Sequence, residues 1–124
     1  MIGYTTLGTN DFEKAKAFYD KAFAALGARR TMTNDRMQGW GVKGSPGMFA
    51  VCKPYDGGKA VNGNGPMVAI PAPSQDVVKQ VHADALAAGG KDEGAPGDRG
   101  GGFYAGYFRD PDGNKLNAFI MKGE

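Results

Sequence analysis

Apolar residues recur at the spacing of an α-helix in two stretches of the chain, residues 11–26 and 74–88. In the first stretch the apolar positions are Phe12, Ala15, Phe18, Tyr19, Ala22, Phe23 and Leu26. In the second stretch they are Val77, Val78, Val81, Ala85 and Leu86. Spacings of three and four residues place these side chains on one side of a helix, so each stretch is predicted to be a helix with one buried face.

Residues typical of helix ends flank both stretches. Asn10 precedes the first helix and Glu13 follows three residues later, which is the spacing of a capping box. Ser74 is the equivalent capping candidate for the second helix. Gly27 and Gly89 follow the two helices, where a left-handed residue is expected. The caps therefore predict helices from about residue 11 to 26 and from about residue 75 to 88.

Segments rich in β-branched and aromatic residues surround the helices in the same order in both halves. One segment precedes each helix, at residues 1–9 and 67–70. The other candidate strands are 29–34, 37–42 and 48–53 after the first helix, and 103–109 and 115–121 after a Gly-rich loop in the second half. Pro and Gly in residues 110–114 suit a tight turn between the last two strands. This order predicts a duplicated β-α-β-β-β unit and the α+β class.

The length of the chain, 124 residues, fits one domain. Module one is expected at about 1–54, a linker at about 55–65 and module two at about 66–122. A unit of ~60 residues buries too little surface to be comfortable alone, so the two modules are expected to share a core or to pair with another chain. Glycine is unusually frequent, with 21 residues clustered mainly in 57–65 and 89–102, and these segments are predicted to be mobile loops.

Composition excludes several classes of function. The net charge is only +2 and the basic residues are scattered, so no nucleic-acid partner is predicted. The sequence has no run of ~18 apolar residues, so no membrane partner is predicted. Cys52 is the only cysteine, and the N-terminal residues do not resemble a signal segment. Both features favour a soluble protein of the cytoplasm.

Three segments resemble one known family: MIGYTTLGTNDFEKAKAFYDKAFAALGA at the start, SQDVVKQVHADALAAGGKDEGAPG in the middle and FYAGYFRDPDGNKLNAFI at the end. By these segments, their order and their spacing, the chain resembles the vicinal-oxygen-chelate superfamily of glyoxalases, bleomycin resistance proteins and dioxygenases. The last segment is similar to the family's RDPDGN turn and final strand. The resemblance implies two tandem βαβββ modules that form an open, cup-like mixed sheet around a small ligand, often in a homodimer.

The resemblance also implies where a metal ion would bind. Metal-dependent members use His or an equivalent on the first and fifth strands and carboxylates on the fourth and eighth. The matching positions here are Tyr4, Met67 (or Pro66), Ala50 (or Cys52) and Asn117. Divalent ions prefer imidazole and anionic oxygen ligands, which this set does not supply. No metal and no other cofactor is therefore predicted.

The same alignment suggests residues that contact a ligand in the cup. Tyr4 and Met67 occupy former metal positions, and Asn117 is an amide in an apolar strand that must find hydrogen-bond partners. The remaining candidates are the strand aromatics Trp40, Tyr104 and Tyr107, and Arg99 in the Gly-rich loop, which could recognise a carboxylate or phosphate. His82 and Cys52 are expected to be structural, a half-buried helical histidine and a buried thiol.

Three functions are compatible with this pattern. The favoured hypothesis is a protein that binds a small organic molecule in a metal-free cup. The alternative is a glyoxalase-like lyase or isomerase with an atypical metal site, or one shared between subunits. The third is a structural or interaction protein whose cup has filled in. The sequence leaves open the identity of the ligand, any catalytic activity, and whether the cup closes within one chain or across a dimer.

Overall fold

A computed structural model describes residues 1–122, and each half of the chain contains one α-helix and four strands in the order βαβββ. The elements of the first half are β1 (Tyr4–Gly8), α1 (Phe12–Ala22), β2 (Arg29–Thr33), β3 (Met37–Gly41) and β4 (Met48–Cys52). Those of the second are β5 (Val68–Pro71), α2 (Gln75–Ala87), β6 (Lys91–Asp98), β7 (Phe103–Arg109) and β8 (Lys115–Met121). The predicted α+β class and the duplicated unit are confirmed.

Each half forms its own four-stranded mixed sheet, and neither sheet closes into a barrel. The strand order is β1-β4-β3-β2 in the first sheet and β5-β8-β7-β6 in the second. In both sheets the first strand pairs in parallel with the last, and the other pairs are antiparallel. The helix between the first two strands supplies the long connection that the parallel pair requires.

The start of α1 differs from the prediction. The N-cap is Asp11, whose side chain accepts a hydrogen bond from the backbone N–H of Lys14 at 3.1 Å. The prediction of Asn10 as the cap was wrong because the linker occupies its amide: Oδ1 accepts from the N–H of Ala60, and Nδ2 donates to the Ala60 carbonyl. The second cap is confirmed, since Ser74 accepts from a backbone N–H of the first turn of α2.

The α-helix α1 also ends earlier than predicted. The helix ends at Ala22, and a single turn of 3-10 helix continues over Ala24–Leu26. Gly27 then adopts a left-handed conformation with φ of 76°, as its position after the helix predicted. The apolar period continued beyond the α-helix because both kinds of helix direct residues of this segment towards the same core.

The Gly-rich segment 89–102 contains a strand that the sequence did not predict. β6 (Lys91–Asp98) pairs with β7 along its length, with irregular register on either side of Gly94. Backbone hydrogen bonds form a ladder without help from side chains, so glycine does not prevent pairing at a sheet edge, and register irregularities absorb the misfit. The loop interpretation of this segment was therefore wrong for residues 91–98.

One apolar core joins the two modules. The helix-side residues of both sheets and the inner faces of α1 and α2 form a single cluster of buried side chains. Aromatic rings dominate its centre, where Tyr19 lies 4.7 Å from Phe49 and 5.4 Å from Trp40 between ring centroids. Phe18 reaches across to Phe108 of the second module at 6.3 Å. Each module therefore completes the core of the other, as expected for units too small to be stable alone.

A hydrogen-bonded network around Asp110 also joins the modules. The hydroxyl of Tyr19 on α1 donates to Asp110 Oδ2 at 2.6 Å. Asp110 Oδ1 accepts from the backbone N–H groups of Asp112 and Asn114, and the Asn114 amide donates to the Gly8 carbonyl at the end of β1. The turn in residues 110–114 is thus held in shape by its first carboxylate, which explains why this motif has so many polar residues.

Candidate functional site

The two faces of each sheet have different environments. Phe49 and Val51 of β4 belong to the buried core. The residues that alternate with them on β4, and their partners on β1, therefore point to the face that the helices do not cover. We call this side of each sheet the open face. In the first sheet, the residues of β1 and β4 on the open face are Tyr4, Thr6, Gly8, Met48, Ala50 and Cys52. Tyr4 is 59% exposed there.

The open face of the second sheet follows from the same alternation. Leu116 and Phe108 are in the core, so their strand neighbours point away from the helices. The residues on the open face are Ala69, Pro71, Phe103, Ala105, Tyr107, Arg109, Lys115, Asn117, Phe119 and Met121. Met67 immediately precedes β5 and is 42% exposed. The rings of Phe103 and Phe119 stack at 5.3 Å. This face therefore combines apolar and aromatic surface with an amide and two cations.

The structure places the seven residues predicted to contact a ligand on two different sides of the sheets. Trp40 and Tyr104 lie on the helix side. Trp40 is 2% exposed, packs on Tyr19, and donates its indole N–H to Asp20 Oδ1 at 3.0 Å. Tyr104 packs against the core from the partner position of Ile120. Period-2 alternation identifies residues that share a face but not which face is buried, so the sequence did not separate these two from the residues of the other face. Their contact with a ligand stays a prediction.

Arg99 and Tyr107 lie together. The guanidinium carbon of Arg99 is 5.3 Å from the centroid of the Tyr107 ring, and the ammonium nitrogen of Lys115 is 5.5 Å from the same centroid. Arg99 follows β6 directly and its backbone N–H donates to the Phe103 carbonyl at 2.7 Å. This short turn fixes the arginine beside the open face. Lys115 was missed by sequence reasoning, since a lone lysine at a strand start carries no distinctive signal.

Asn117 is the least satisfied polar group of the open face. Its side chain is 1% exposed, and its Oδ1 has no hydrogen-bond partner within residues 1–122. Among the described residues, the amide nitrogen reaches only the sulphur of Met67, at 4.0 Å. Thioether sulphur is a weak acceptor, so the amide as a whole lacks a strong partner. A buried polar group in this state costs ~1–3 kcal/mol, which makes it a candidate for binding a ligand.

His82 and Cys52 have ordinary surroundings. His82 is buried on α2, and its Nε2 lies 3.0 Å from Asp92 Oδ1 at the start of β6, on the helix side of the sheet. The pKa of the Asp92 carboxyl is lowered, first by the hydrogen bond from the N–H of Gly94 and then by His82. Cys52 is half-buried on the open face at the end of β4, rather than fully buried.

The cavities within residues 1–122 include two that strand residues line. The first, of about 310 Å³, is mainly apolar and lies between the first sheet, the 3-10 turn and β5, where Trp40, Phe49 and Ile70 contribute to its wall. The second, of about 350 Å³, is polar and includes Lys91 and Arg109. The apolar cavity is a gap in the packing between the modules and lacks reactive groups, so we regard the open faces as the better candidate site.

A family model described as the glyoxalase/bleomycin resistance protein/dioxygenase superfamily matches residues 1–118. The chain belongs to this superfamily. A glyoxalase/bleomycin resistance protein from Albidiferax ferrireducens T118 is 34% identical, with a TM-score of 0.90 over 97% of this chain and 98% of that one. A comparison with curated protein sequences gave no match.

Two solved structures of lower sequence identity share the fold. A glyoxalase-related enzyme from Fulvimarina pelagi is 22% identical, with a TM-score of 0.77 over 97% of this chain and 87% of that one. A lactoylglutathione lyase from Agrobacterium tumefaciens is 20% identical, with a TM-score of 0.72 over 98% of this chain and 94% of that one. None of the helices within residues 1–122 is long and apolar enough to cross a bilayer.

The residues at the superfamily's metal positions do not fit a divalent cation. Tyr4 and Ala50 lie on the open face of the first sheet, and Asn117 on that of the second beside Met67. A phenol, a methyl group, a thioether and a neutral amide lack the imidazoles and carboxylates that such ions prefer. No group of three or more His, Cys, Asp or Glu side chains comes together in the described part of the chain. Cys52 alone does not supply the missing donors.

Proposed function

We propose that this protein binds a small organic molecule between the open faces of the first and second sheets, without a metal ion. The main support for this proposal is Asn117, which lies on the open face among apolar and aromatic side chains. Its buried amide has no strong hydrogen-bond partner within residues 1–122. Binding sites of this kind combine a mostly apolar lining with a few polar groups that orient the ligand. The donor set argues against the metal-assisted chemistry of the lyases and isomerases in the superfamily.

The open faces also favour a homodimer. Tyr4, Met67 and Met121 expose apolar surface on them, and contiguous exposed apolar surface often marks an interaction site. Within residues 1–122 the main contacts between the modules run through α1, α2 and the 3-10 turn, with no comparable packing of β1 on β5. A cup that closed within one chain would bring those two strands together. We therefore infer that a second copy covers the open faces and completes the cup.

The test has two parts. Metal analysis of protein purified without chelator measures bound Ni, Zn, Fe and Mn, and we expect substoichiometric amounts of each. Thermal shift in metal-free buffer then screens small organic molecules, and we expect some of them to raise the melting temperature because ligands that bind only the folded state stabilise it. Stoichiometric metal, or stabilisation only after metal is added, would favour the alternative, a lyase or isomerase.

The proposed dimer is tested separately. Light scattering coupled to size exclusion measures the mass in solution, which we expect to be twice the chain mass of 13.0 kDa. Tyr4→Glu and Met67→Glu introduce charge on the open faces and are expected to shift the protein towards monomer, because a buried unpaired charge is costly. Val61→Glu changes an exposed apolar residue of the linker and is the matched control. A monomer of the unmodified protein at high concentration contradicts the shared cup.

A further inference from the structure

Three cations form a row across the open face of the second sheet. Lys91 of β6 is opposite Arg109 of β7, and Arg109 is opposite Lys115 of β8. Directly opposed residues share a face, with Cβ atoms ~5 Å apart, and like charges in this arrangement destabilise a sheet. The repulsion within this row therefore destabilises the sheet, and the fold alone does not explain why the three cations are there.

One carboxylate offsets part of this charge. Glu93 Oε1 accepts a hydrogen bond from Arg109 Nε at 2.7 Å. The pKa of Glu93 is lowered, first by this hydrogen bond and also by the charges of Lys115 and Lys91, so all three cations act on the same carboxylate. Asp92, the nearest other acid of β6, is directed to the helix side, where it bonds His82. In the part of this face that residues 1–122 form, one negative charge thus faces the three positive charges of the row.

A fourth cation, Arg99, adds to the excess of positive charge and extends it towards the centre of the open face. Arg99 stacks over the Tyr107 ring, and Lys115 approaches that ring as well. Neither Arg99 nor Lys115 has a carboxylate within 4.0 Å among residues 1–122. Tyr107 is directly opposite Asn117, so the two cations and the unsatisfied amide belong to neighbouring positions of one surface.

We propose that the ligand of this site is a small organic carboxylate that also carries a hydroxyl or N–H group. The carboxylate would lie against Arg99 and Lys115, which supply charge-assisted hydrogen bonds. The hydroxyl or N–H would donate to Asn117 Oδ1 and so supply the hydrogen bond that this oxygen lacks. The inference rests on the proposed function and adds the chemical class of its ligand.

Three related compounds test the inference in metal-free buffer. Mandelate carries both groups, mandelamide lacks the charge, and phenylacetate lacks the hydroxyl. Calorimetric titration is expected to give the tightest binding for mandelate, by about tenfold over mandelamide. Added salt should weaken mandelate more than mandelamide, because salt screens exposed charges.

Variants assign the effect to individual residues. Lys115→Gln and Arg99→Gln are each expected to weaken mandelate several-fold and to leave mandelamide unchanged. Asn117→Leu is expected to abolish the preference for mandelate over phenylacetate. Lys79→Gln on the exposed side of α2 is the matched control and should behave as the unmodified protein. Circular dichroism confirms that each variant is folded.

The possible failures are distinguishable. Equal affinity for mandelate and mandelamide, or mandelate binding unaffected by Lys115→Gln and Arg99→Gln, overturns the anionic class while leaving a metal-free cup in place. Binding of none of the three compounds also overturns this inference, and the wider ligand screen then decides the proposed function on its own. Mandelate binding that requires added metal overturns both.

Discussion

Removing a single oxygen atom from Tyr19 tests how the two modules are held together. Tyr19 is fully buried, and its hydroxyl donates to Asp110 Oδ2 at 2.6 Å across the module boundary. In Tyr19→Phe the ring and its packing on Phe49 remain, while the carboxylate loses one donor. Asp110 keeps the N–H groups of Asp112 and Asn114 and the Asn114 amide.

The size of the effect follows from these contacts. A hydrogen bond to a charged group contributes ~1.5–3 kcal/mol, and the three remaining donors limit the penalty to about 2 kcal/mol of unfolding free energy. For a domain of this size that corresponds to a fall of roughly 6–10 °C in melting temperature. Urea unfolding followed by circular dichroism measures it. Tyr55→Phe alters an exposed tyrosine and should change stability very little.

The pH dependence of the penalty separates this bond from packing. Burial raises the pKa of Asp110 above its usual value, against the hydrogen bonds from Tyr19 and Asn114 that lower it. A carboxyl whose pKa is higher in the folded state contributes stability at low pH that is lost as pH rises through that folded pKa. Tyr19→Phe removes a donor that favours the charged form, so its penalty should be full at neutral pH and smaller in acid. An equal penalty at both pH values, or none at all, would refute the charge-assisted link.

The remaining predictions concern single positions. Asn117→Leu keeps the branched shape and removes the unsatisfied amide, so the unliganded protein should be as stable as before or about 1 kcal/mol more stable in urea unfolding; a clear loss of stability would mean that the amide has a partner. Gly27→Ala has free space around its Cβ but a φ of 76°, and should lose ~1 kcal/mol through backbone strain alone; an unchanged midpoint would contradict this. Asp92→Asn should lower stability at neutral pH, because the depressed pKa of Asp92 contributes stability that disappears as pH falls through the folded-state pKa; unfolding curves at several pH values should converge in acid, and a constant gap would argue against the link to Gly94 and His82.

Local patterns were sufficient for the helices and for most strands. The apolar period, Ser74 and Gly27 identified the position of both helices because capping and periodicity are properties of short segments. The cap at Asn10 was misassigned, since a contact with Ala60, distant in sequence, occupies that amide. Strand β6 was missed for a related reason, because its glycines and proline give no side-chain pattern and its pairing with β7 is a tertiary interaction.

The candidate site could be predicted only in part. The sequence identified Tyr4, Met67 and Asn117 through their positions in a recognisable family pattern, and the structure places all three on the open faces. It could not assign Trp40 to the buried side, because alternation leaves the choice of face open. Nor could it find the cationic row, which exists only once the register of β6, β7 and β8 is known.

The most direct test of a metal-free cup is a crystal structure of protein purified without chelator or added metal, with anomalous data collected at the Ni, Zn, Fe and Mn edges. We expect density for an organic molecule against Asn117 and Met67, covered by the open face of a second copy, and no anomalous peak among Tyr4, Ala50, Met67 and Asn117. A strong anomalous peak at that position, coordinated by either copy, would contradict the account.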